Sequence, residues 1–395
     1  MPARPSHQSA VSQNGSDVEL RLLPFLLRTL KGGQETWPFS LEEEISFDAL
    51  WPVISYHGIC LSLADADSFE SWPAELAERV REEARLQVLW EASHRDLLAR
   101  TLELFATAGV DVLVTKGTAL AYTVYPDPAD RRRGDTDLLI RPEQRQAARH
   151  LLAAAGFTRA QSSAMQEDWI FDTKSGFVHS IDLHWQPTSS NALRQIFSVE
   201  EAFVRSVPLD RLAKGAKALD PVLLFFNDIL NHQLHRISGY IVDDDYMIAD
   251  DRLVWVYGTN LQARGFSAQE WEDLTTLAST RGMSELSLRA LERAQALFDT
   301  PVPSEVMATL AKQGGQGAID RFLFHDDTFE RFKSSWERAY NWRARATMLR
   351  ENLFPSAEFM HRRYPEAQGK PLSLFYARRL ANGVIKLCQR RLRGD

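Results

Sequence analysis

Two short stretches carry the residue types that phosphate chemistry needs: Lys116-Gly117-Thr118, and the run from Arg131 through Gly134-Asp135-Thr136-Asp137-Leu138-Leu139-Ile140. Side chains alternate along a strand, so Asp135 and Asp137 project from one face and Thr136, Leu138 and Ile140 from the other. Two carboxylates so placed repel each other and cost stability unless a cation lies between them. Oxygen ligands of that kind suit a hard divalent ion such as magnesium. Asp-x-Asp by itself fits two solvated acids at a strand end equally well. Arg131, Arg132 and Arg133 run alongside, where they ease that repulsion or grip phosphates by forked hydrogen bonds. Gly117 falls at a strand-to-helix junction. There a missing side chain lets a phosphate approach the backbone, and the helix's first free N–H groups favour an anion. A plain tight turn is the other reading of that glycine. A third carboxylate comes in His179-Ser180-Ile181-Asp182-Leu183-His184-Trp185. Alternation puts Asp182 and His184 on one face, and an aspartate inside an apolar strand is costly to bury without a metal or a partner.

A small α/β unit must position these residues, and the sequence predicts one in the middle of the chain. Val112-Leu113-Val114 reads as a strand, Thr118 to Tyr125 as a helix stopped by Pro126-Asp127-Pro128, and Asp135 to Ile140 as a strand. Arg141-Pro142 opens a helix with Gly156 just past its end. Ile170-Phe171 and Phe177 to Leu183 read as strands around a Lys174-Ser175-Gly176 turn. Helices are predicted on both sides. Before the unit they are a leucine-rich one closed by Gly32-Gly33, one from Phe47 through Leu63, and a long run from Pro73 to Gly109 that fits one helix or two. After Pro221 they are Val222 to Leu234, Arg252 to Ala263, Ala268 to Ala278, Ser284 to Leu297 and Ser304 to Lys312. The expected organisation is a flexible tail (1–17), a helical region (18–108), an α/β core (109–190), a helical domain (191–353) and a basic helical tail (354–395). The fold class is α+β.

Composition narrows the function classes. The 395 residues are 44% hydrophobic and 25% charged, which excludes collagen-like and fully disordered chains. Net charge is −7, so no global basic field recruits nucleic acid, and DNA is not expected as a partner. Cys60 and Cys388 are the only cysteines, which excludes a disulfide scaffold and a cysteine zinc cluster. No run of about 18 apolar residues predicts a transmembrane segment. The first residues lack the apolar core of a signal peptide, so a cytoplasmic location is expected. Asp243, Asp244, Asp245, Asp250 and Asp251 read as a solvated acidic loop, because the calcium-loop positions that need Gly and Glu hold Ile248 and Val254. His232 and His235 read as helix packing. The basic stretch from Arg378 to Arg393 reads as a solvated helix, with an anionic membrane surface or a partner as the other readings.

The order of glycine turn, acid pair and later single acid resembles the DNA polymerase β-like nucleotidyltransferase superfamily. More closely, it resembles the bacterial nucleotidyltransferase family proteins. Their pattern is matched by Lys116-Gly117, Tyr125-Pro126-Asp127-Pro128, Arg131, Gly134 to Ile140 and Asp182-Leu183-His184-Trp185. Arg252-Leu253-Val254-Trp255-Val256-Tyr257 is similar to a segment of the same group. Thr118 departs from the second Gly or Ser of the turn. The interval from that turn to Asp135 is longer than in many members of the superfamily, and Gly258 replaces an expected Asp.

The resemblance implies a small mixed sheet with helices, and transfer of a nucleoside monophosphate from a triphosphate to an acceptor hydroxyl with release of pyrophosphate. It implies two Mg2+ ions, or Mn2+, about 4 Å apart on Asp135, Asp137 and Asp182, with Asp182 orienting or deprotonating the hydroxyl. Lys116, Gly117 and Thr118 would hold the outer phosphates, Arg131 would balance departing charge, and His184 would stand behind these groups or merely end its strand. The acceptor stays open among a small molecule, a peptide, a protein and an RNA. Two other functions remain open: a catalytically silent nucleotide-binding or interaction protein of the same fold, and an Asp-x-Asp glycosyltransferase. The second predicts a nucleotide-binding region ahead of the acid pair, where this sequence reads as helix, and leaves Asp182 unexplained.

Overall fold

The computed structural model describes residues 13–33, 36–39, 45–64, 72–162, 166–188, 193, 196–238, 240–242, 245–247, 251–315, 318–324, 336, 342–354, 360, 364 and 371–393. Residues 1–12 of the expected tail, and Asp243, Asp244 and Asp250 of the acidic cluster, lie outside them. The chain divides into two compact units, Met1–Phe324 and His325–Asp395. The boundary expected at residue 353 falls inside the second unit.

The first unit opens with helices α1 (Gln13–Leu30), α2 (Phe47–His57), α3 (Cys60–Ala64) and α4 (Ala74–Thr107). α1 starts inside the stretch expected to be tail, because Gln13 to Asp17 carry no apolar stripe to announce it. The long run after Pro73 is one helix of 34 residues. It has no Pro or Gly to bend it, and it ends in a left-handed glycine, with Gly109 at φ 68° and Val110 N–H bonded back to Phe105 C=O at 2.9 Å.

The α/β part follows as β1 (Val112–Thr115), α5 (Lys116–Thr123), β2 (Asp135–Ile140), α6 (Arg145–Ala154), β3 (Thr158–Ser162), β4 (Gln166–Asp172) and β5 (Val178–His184). Then come α7 (Val199–Val204), β6 (Ser206–Pro208), β7 (Lys217–Leu219) and α8 (Pro221–Ser238). The strands form one sheet of seven in the order β3-β4-β5-β2-β1-β7-β6. β2 runs parallel to β5 and antiparallel to β1, and β7 runs parallel to β1 through Val114 and Ala218. The sheet is therefore mixed, in an α+β fold.

Two of its strands lie beyond residue 190, the expected end of the α/β core. β6 and β7 have three residues each, too few for alternation to register. Leu113, Val114, Leu138, Ile140, Ile181 and Leu183 give the sheet its buried apolar side chains. α5 is buried from Thr118 through Tyr122. α8 has Pro221 as its first residue and Asp220 as its cap, whose Oδ1 accepts from Leu223 N–H at 2.9 Å.

A two-stranded ribbon, β8 (Tyr240–Val242) with β9 (Asp245–Met247), precedes the last helices of this unit. These are α9 (Leu253–Gly265), α10 (Ala268–Arg281), α11 (Ser284–Phe298), α12 (Ser304–Gln313) and α13 (Ala318–Phe324). His232 and His235 of α8 both stack on Trp255 of α9, at 4.9 and 5.8 Å between ring centres. The second unit contains the helices Trp342–Leu353 and Leu372–Arg393 and an apolar cluster around Met360 and Phe375. Among the described residues no helix is long and apolar enough to cross a membrane.

Candidate active site

Strand register places the acids. Asp137 on β2 pairs with Asp182 on the parallel β5, and Asp182 pairs in turn with Asp168 on the antiparallel β4. Side chains directly across neighbouring strands share a face, so three carboxylates stand in a row. Asp137, Asp182 and His184 bring one ligand atom each within 4.8 Å of one another, a group able to hold a metal ion. Asp135 is outside that group. It stands exposed at the start of β2 and acts on Asp182 through its charge.

Cations and hydrogen bonds converge on Asp137, which is 5% exposed. Lys116 Nζ donates to its Oδ1 at 2.5 Å, and His184 Nε2 meets the same oxygen at 2.9 Å. Burial alone would raise the Asp137 carboxyl, but Lys116 and His184 hold it below the ordinary range. Burial works against the Lys116 ammonium, yet Asp137 beside it raises its pKa, with Asp135 and Asp182 adding to the effect.

Asp182 has no such cation of its own. Burial, then the charges of Asp135, Asp137 and Asp168, push it up to about 9. Desolvation and the charge of Asp137 raise Asp135 to about 6. Solvent reaches Asp135, so the neighbouring charge is the cause that weighs more there. Burial, then Lys116, lowers the pKa of His184, so its ring is neutral. A neutral ring whose Nε2 lies against a carboxylate oxygen carries its proton on that nitrogen. The chemistry of the donor set fits a divalent ion: acids crowded past what one lysine neutralises, with an imidazole beside them.

The turn that leads to α5 differs from expectation. The left-handed residue is Lys116, at φ 49°, and not Gly117. A side chain in that conformation is uncommon and gathers at functional sites; here it turns the ammonium back onto Asp137. A Cβ on Gly117 would meet only the Arg133 side chain, at 3.8 Å, so the glycine leaves open space at the start of the helix.

Thr118 and Arg131 are not where the resemblance puts them. The Thr118 hydroxyl is buried and meets Thr136 Oγ1 at 2.8 Å while accepting from Arg133 Nε at 3.0 Å, so its hydrogen bonds are taken by the protein. Arg131 is buried against the helical part. It donates to Val254 C=O at 3.1 Å and lies 3.8 Å from Asp228, and these partners fix it away from the carboxylate row. Gly258 lets α9 approach α5, since a Cβ there would come within 3.3 Å of the Tyr125 hydroxyl.

Behind β2, on the face of Thr136, His94 of α4 meets Thr136 Oγ1 at 2.7 Å and His179 of β5 at 3.3 Å. Arg133 pairs with Glu91 of α4 at 2.6 Å, and Glu91 accepts from the Tyr122 hydroxyl. This network ties α4, α5, β2 and β5 together directly under the acids. Sequence reasoning missed it, and missed Asp168 and Gln166, whose Nε2 donates to Asp168 at 3.3 Å and Asp182 at 3.4 Å.

A mixed sheet that carries a row of acids beside a lysine-bearing turn defines an α+β domain with a candidate metal site. The family model described as "uncharacterised nucleotidyltransferase" matches residues 43–299, well over half of the chain, and the chain belongs to that family. No curated protein matches the chain, and no solved structure matches it.

Proposed function

We propose that the protein moves a nucleoside monophosphate from a nucleoside triphosphate to an acceptor hydroxyl with release of pyrophosphate, in a polymerase β-like core. The observation that carries this reading is the register of Asp137 against Asp182, with His184 completing a group fit for a divalent ion. Asp137 and Asp182 would hold that ion, Mg2+ or Mn2+, with Asp135 at the mouth contributing charge. A bound divalent ion would neutralise the α-phosphate and the charge that develops as pyrophosphate leaves.

The chain's own groups divide the remaining work. Lys116 has an ammonium on a flexible stem, able to move from Asp137 to the outer phosphates once other positive charge reaches the acids. The free N–H groups at the start of α5, with the open space at Gly117, favour an anion in the same place. Asp182, once a divalent ion has displaced its proton, would orient the hydroxyl and take its proton as the oxygen bonds to the α-phosphorus.

The test is pyrophosphate release from each of the four triphosphates with a clarified extract of the host cell as acceptor source. The reading requires release that depends on a divalent ion and is lost in the double variant Asp137→Ala, Asp182→Ala. Equal release from wild type and that folded variant would refute it.

A further inference from the structure

A pocket of about 330 Å³ opens beyond the start of β2, against one stripe of α4. Small-molecule sites usually occupy about 300–1,000 Å³. Two side chains of its lining each carry a buried polar atom with no hydrogen-bond partner: Gln87 Oε1 and Arg131 Nε. The remaining polar atoms of both are engaged. Gln87 Nε2 donates to Ala129 C=O, which fixes the orientation of the amide. Arg131 donates from Nη1 to Val254 C=O at 3.1 Å and holds Nη2 3.8 Å from Asp228. Ala129 stands two residues before Arg131, so the hydrogen bond from Gln87 brings the two side chains to one wall of the pocket.

Buried polar groups are nearly always paired, so two orphans on one pocket point to a ligand that completes them. The atoms are complementary: the guanidinium N–H only donates, and the amide oxygen only accepts. A ligand that meets both presents an acceptor and a donor, as the edge of a nucleobase does. Leu86 and Trp90, one turn apart on α4, and Phe177 supply apolar walls. The arginines beside them are not arranged for a phosphate. Arg132 pairs with Glu83 at 3.2 Å and Arg133 with Glu91 at 2.6 Å, so acids of α4 already meet their charge. A neutral heterocycle with a polar edge suits this lining better than an anion.

The pocket adjoins the acids and the turn. Gly134 lines it and immediately precedes Asp135, which puts it within about 10 Å of Asp137 along the strand. The Arg133 side chain lines it too, and is what a Cβ on Gly117 would meet at 3.8 Å. Arg133 is therefore a wall shared by the pocket and the Lys116-Gly117 turn. In-line displacement brings the acceptor from the side opposite the departing pyrophosphate. A pocket that shares a wall with the phosphate turn thus falls on the nucleotide's side. We propose that it receives the base of the nucleoside triphosphate, whose edge accepts from Arg131 Nε and donates to Gln87 Oε1. This rests on the nucleotidyl-transfer reading above and adds that the triphosphate is chosen by its base, at a helix ahead of the sheet.

The test sets the four nucleoside triphosphates, which share their phosphates, beside tripolyphosphate, which has no base. Calorimetric titration in the presence of Mg2+ compares wild type with Gln87→Met, and with Phe177→Ala should the first fail to fold. Wild type should prefer one triphosphate over at least one other about tenfold or more. Gln87→Met should weaken the preferred one about tenfold and leave tripolyphosphate unchanged. Equal affinity of wild type for all four would mean that no base is read. A parallel loss of tripolyphosphate affinity would mean that the pocket serves the phosphates. Unchanged triphosphate affinity with slower transfer to the host extract would mean that the acceptor fills it, and no change in either that it holds only water. Each of these overturns the inference and leaves nucleotidyl transfer intact. Failure of wild type to bind any triphosphate overturns both.

Discussion

Asp137 and Asp182 sit directly opposite each other on two parallel strands, β2 and β5, and Asp168 extends the row onto β4. A sheet that aligns like charges gives up stability, and the imbalance is visible within the row. Lys116 and His184 both serve Asp137, while Asp182 receives one long hydrogen bond from Gln166 at 3.4 Å. One acid is held ionised and its neighbour is held protonated. Added positive charge would remove that conflict, which is why the row is a candidate cation site.

Replacing Asp182 by Asn therefore separates function from stability. Asp182→Asn keeps the shape and the hydrogen bond from Gln166 while removing a carboxyl that must take up a proton to fold beside Asp135, Asp137 and Asp168. Metal-free protein should gain about 1 kcal/mol in stability, and nucleotidyl transfer should fall about 100-fold or more. Thermal unfolding and pyrophosphate release, measured on the same preparation, check the two directions.

Metal binding should be linked to protons through the same residue. The Asp182 carboxyl rises from its ordinary 3.8 to about 9, so in metal-free protein its ionisation opposes folding and stability declines as pH rises across that range. Asp137 has the opposite shift. Its contribution is present above the ordinary carboxyl value and is lost as pH falls through its lowered one. At neutral pH an incoming divalent ion must displace the Asp182 proton. Calorimetric titration with Mn2+ in buffers of different ionisation enthalpy should show release of about one proton, with affinity increasing toward pH 9. Affinity independent of pH over that interval would contradict the assignment.

The network under β2 makes a third prediction. Thr136→Val conserves shape but leaves His94 Nε2 and the Thr118 hydroxyl each short of a partner. The expected loss is about 2 kcal/mol of unfolding free energy. Activity measured well below the new melting temperature should fall less than in any variant of the acids. Denaturant unfolding compared with Thr136→Ser, which retains the hydroxyl, isolates the contribution of the bonds.

The sequence showed the parts of the site that rest on strand alternation and missed those that rest on pairing. Asp137, Asp182 and His184 were legible because each lies at the expected parity on a strand bounded by glycine or a polar turn. Asp168 was not, because β4 was read only from Ile170, whereas the strand starts at Gln166. Counting symmetrically about Ser175, in the middle of the Lys174-Ser175-Gly176 turn, sets Asp168 opposite Asp182.

Lys116 was read as a phosphate ligand from its neighbour Gly117, yet its left-handed backbone turns it onto Asp137. Arg131 and Thr118, expected at the phosphates, have protein partners instead. A charged or hydroxyl side chain beside a motif has the same letter whether it faces a ligand or its own protein: Arg131 reaches Val254, far along the chain, and Thr118 bonds Thr136 and Arg133. β6 and β7 join the sheet only through pairing with β1 and each other, a signal absent from any local window.

The most direct measurement is electron paramagnetic resonance of Mn2+ titrated into wild type and into Asp137→Asn in the presence of a non-hydrolysable triphosphate. Wild type should bind Mn2+ with a signal that broadens on addition of the triphosphate, and folded Asp137→Asn should leave the Mn2+ free. Equal binding by the two proteins would show that the row formed by Asp137 and Asp182 is not the metal centre.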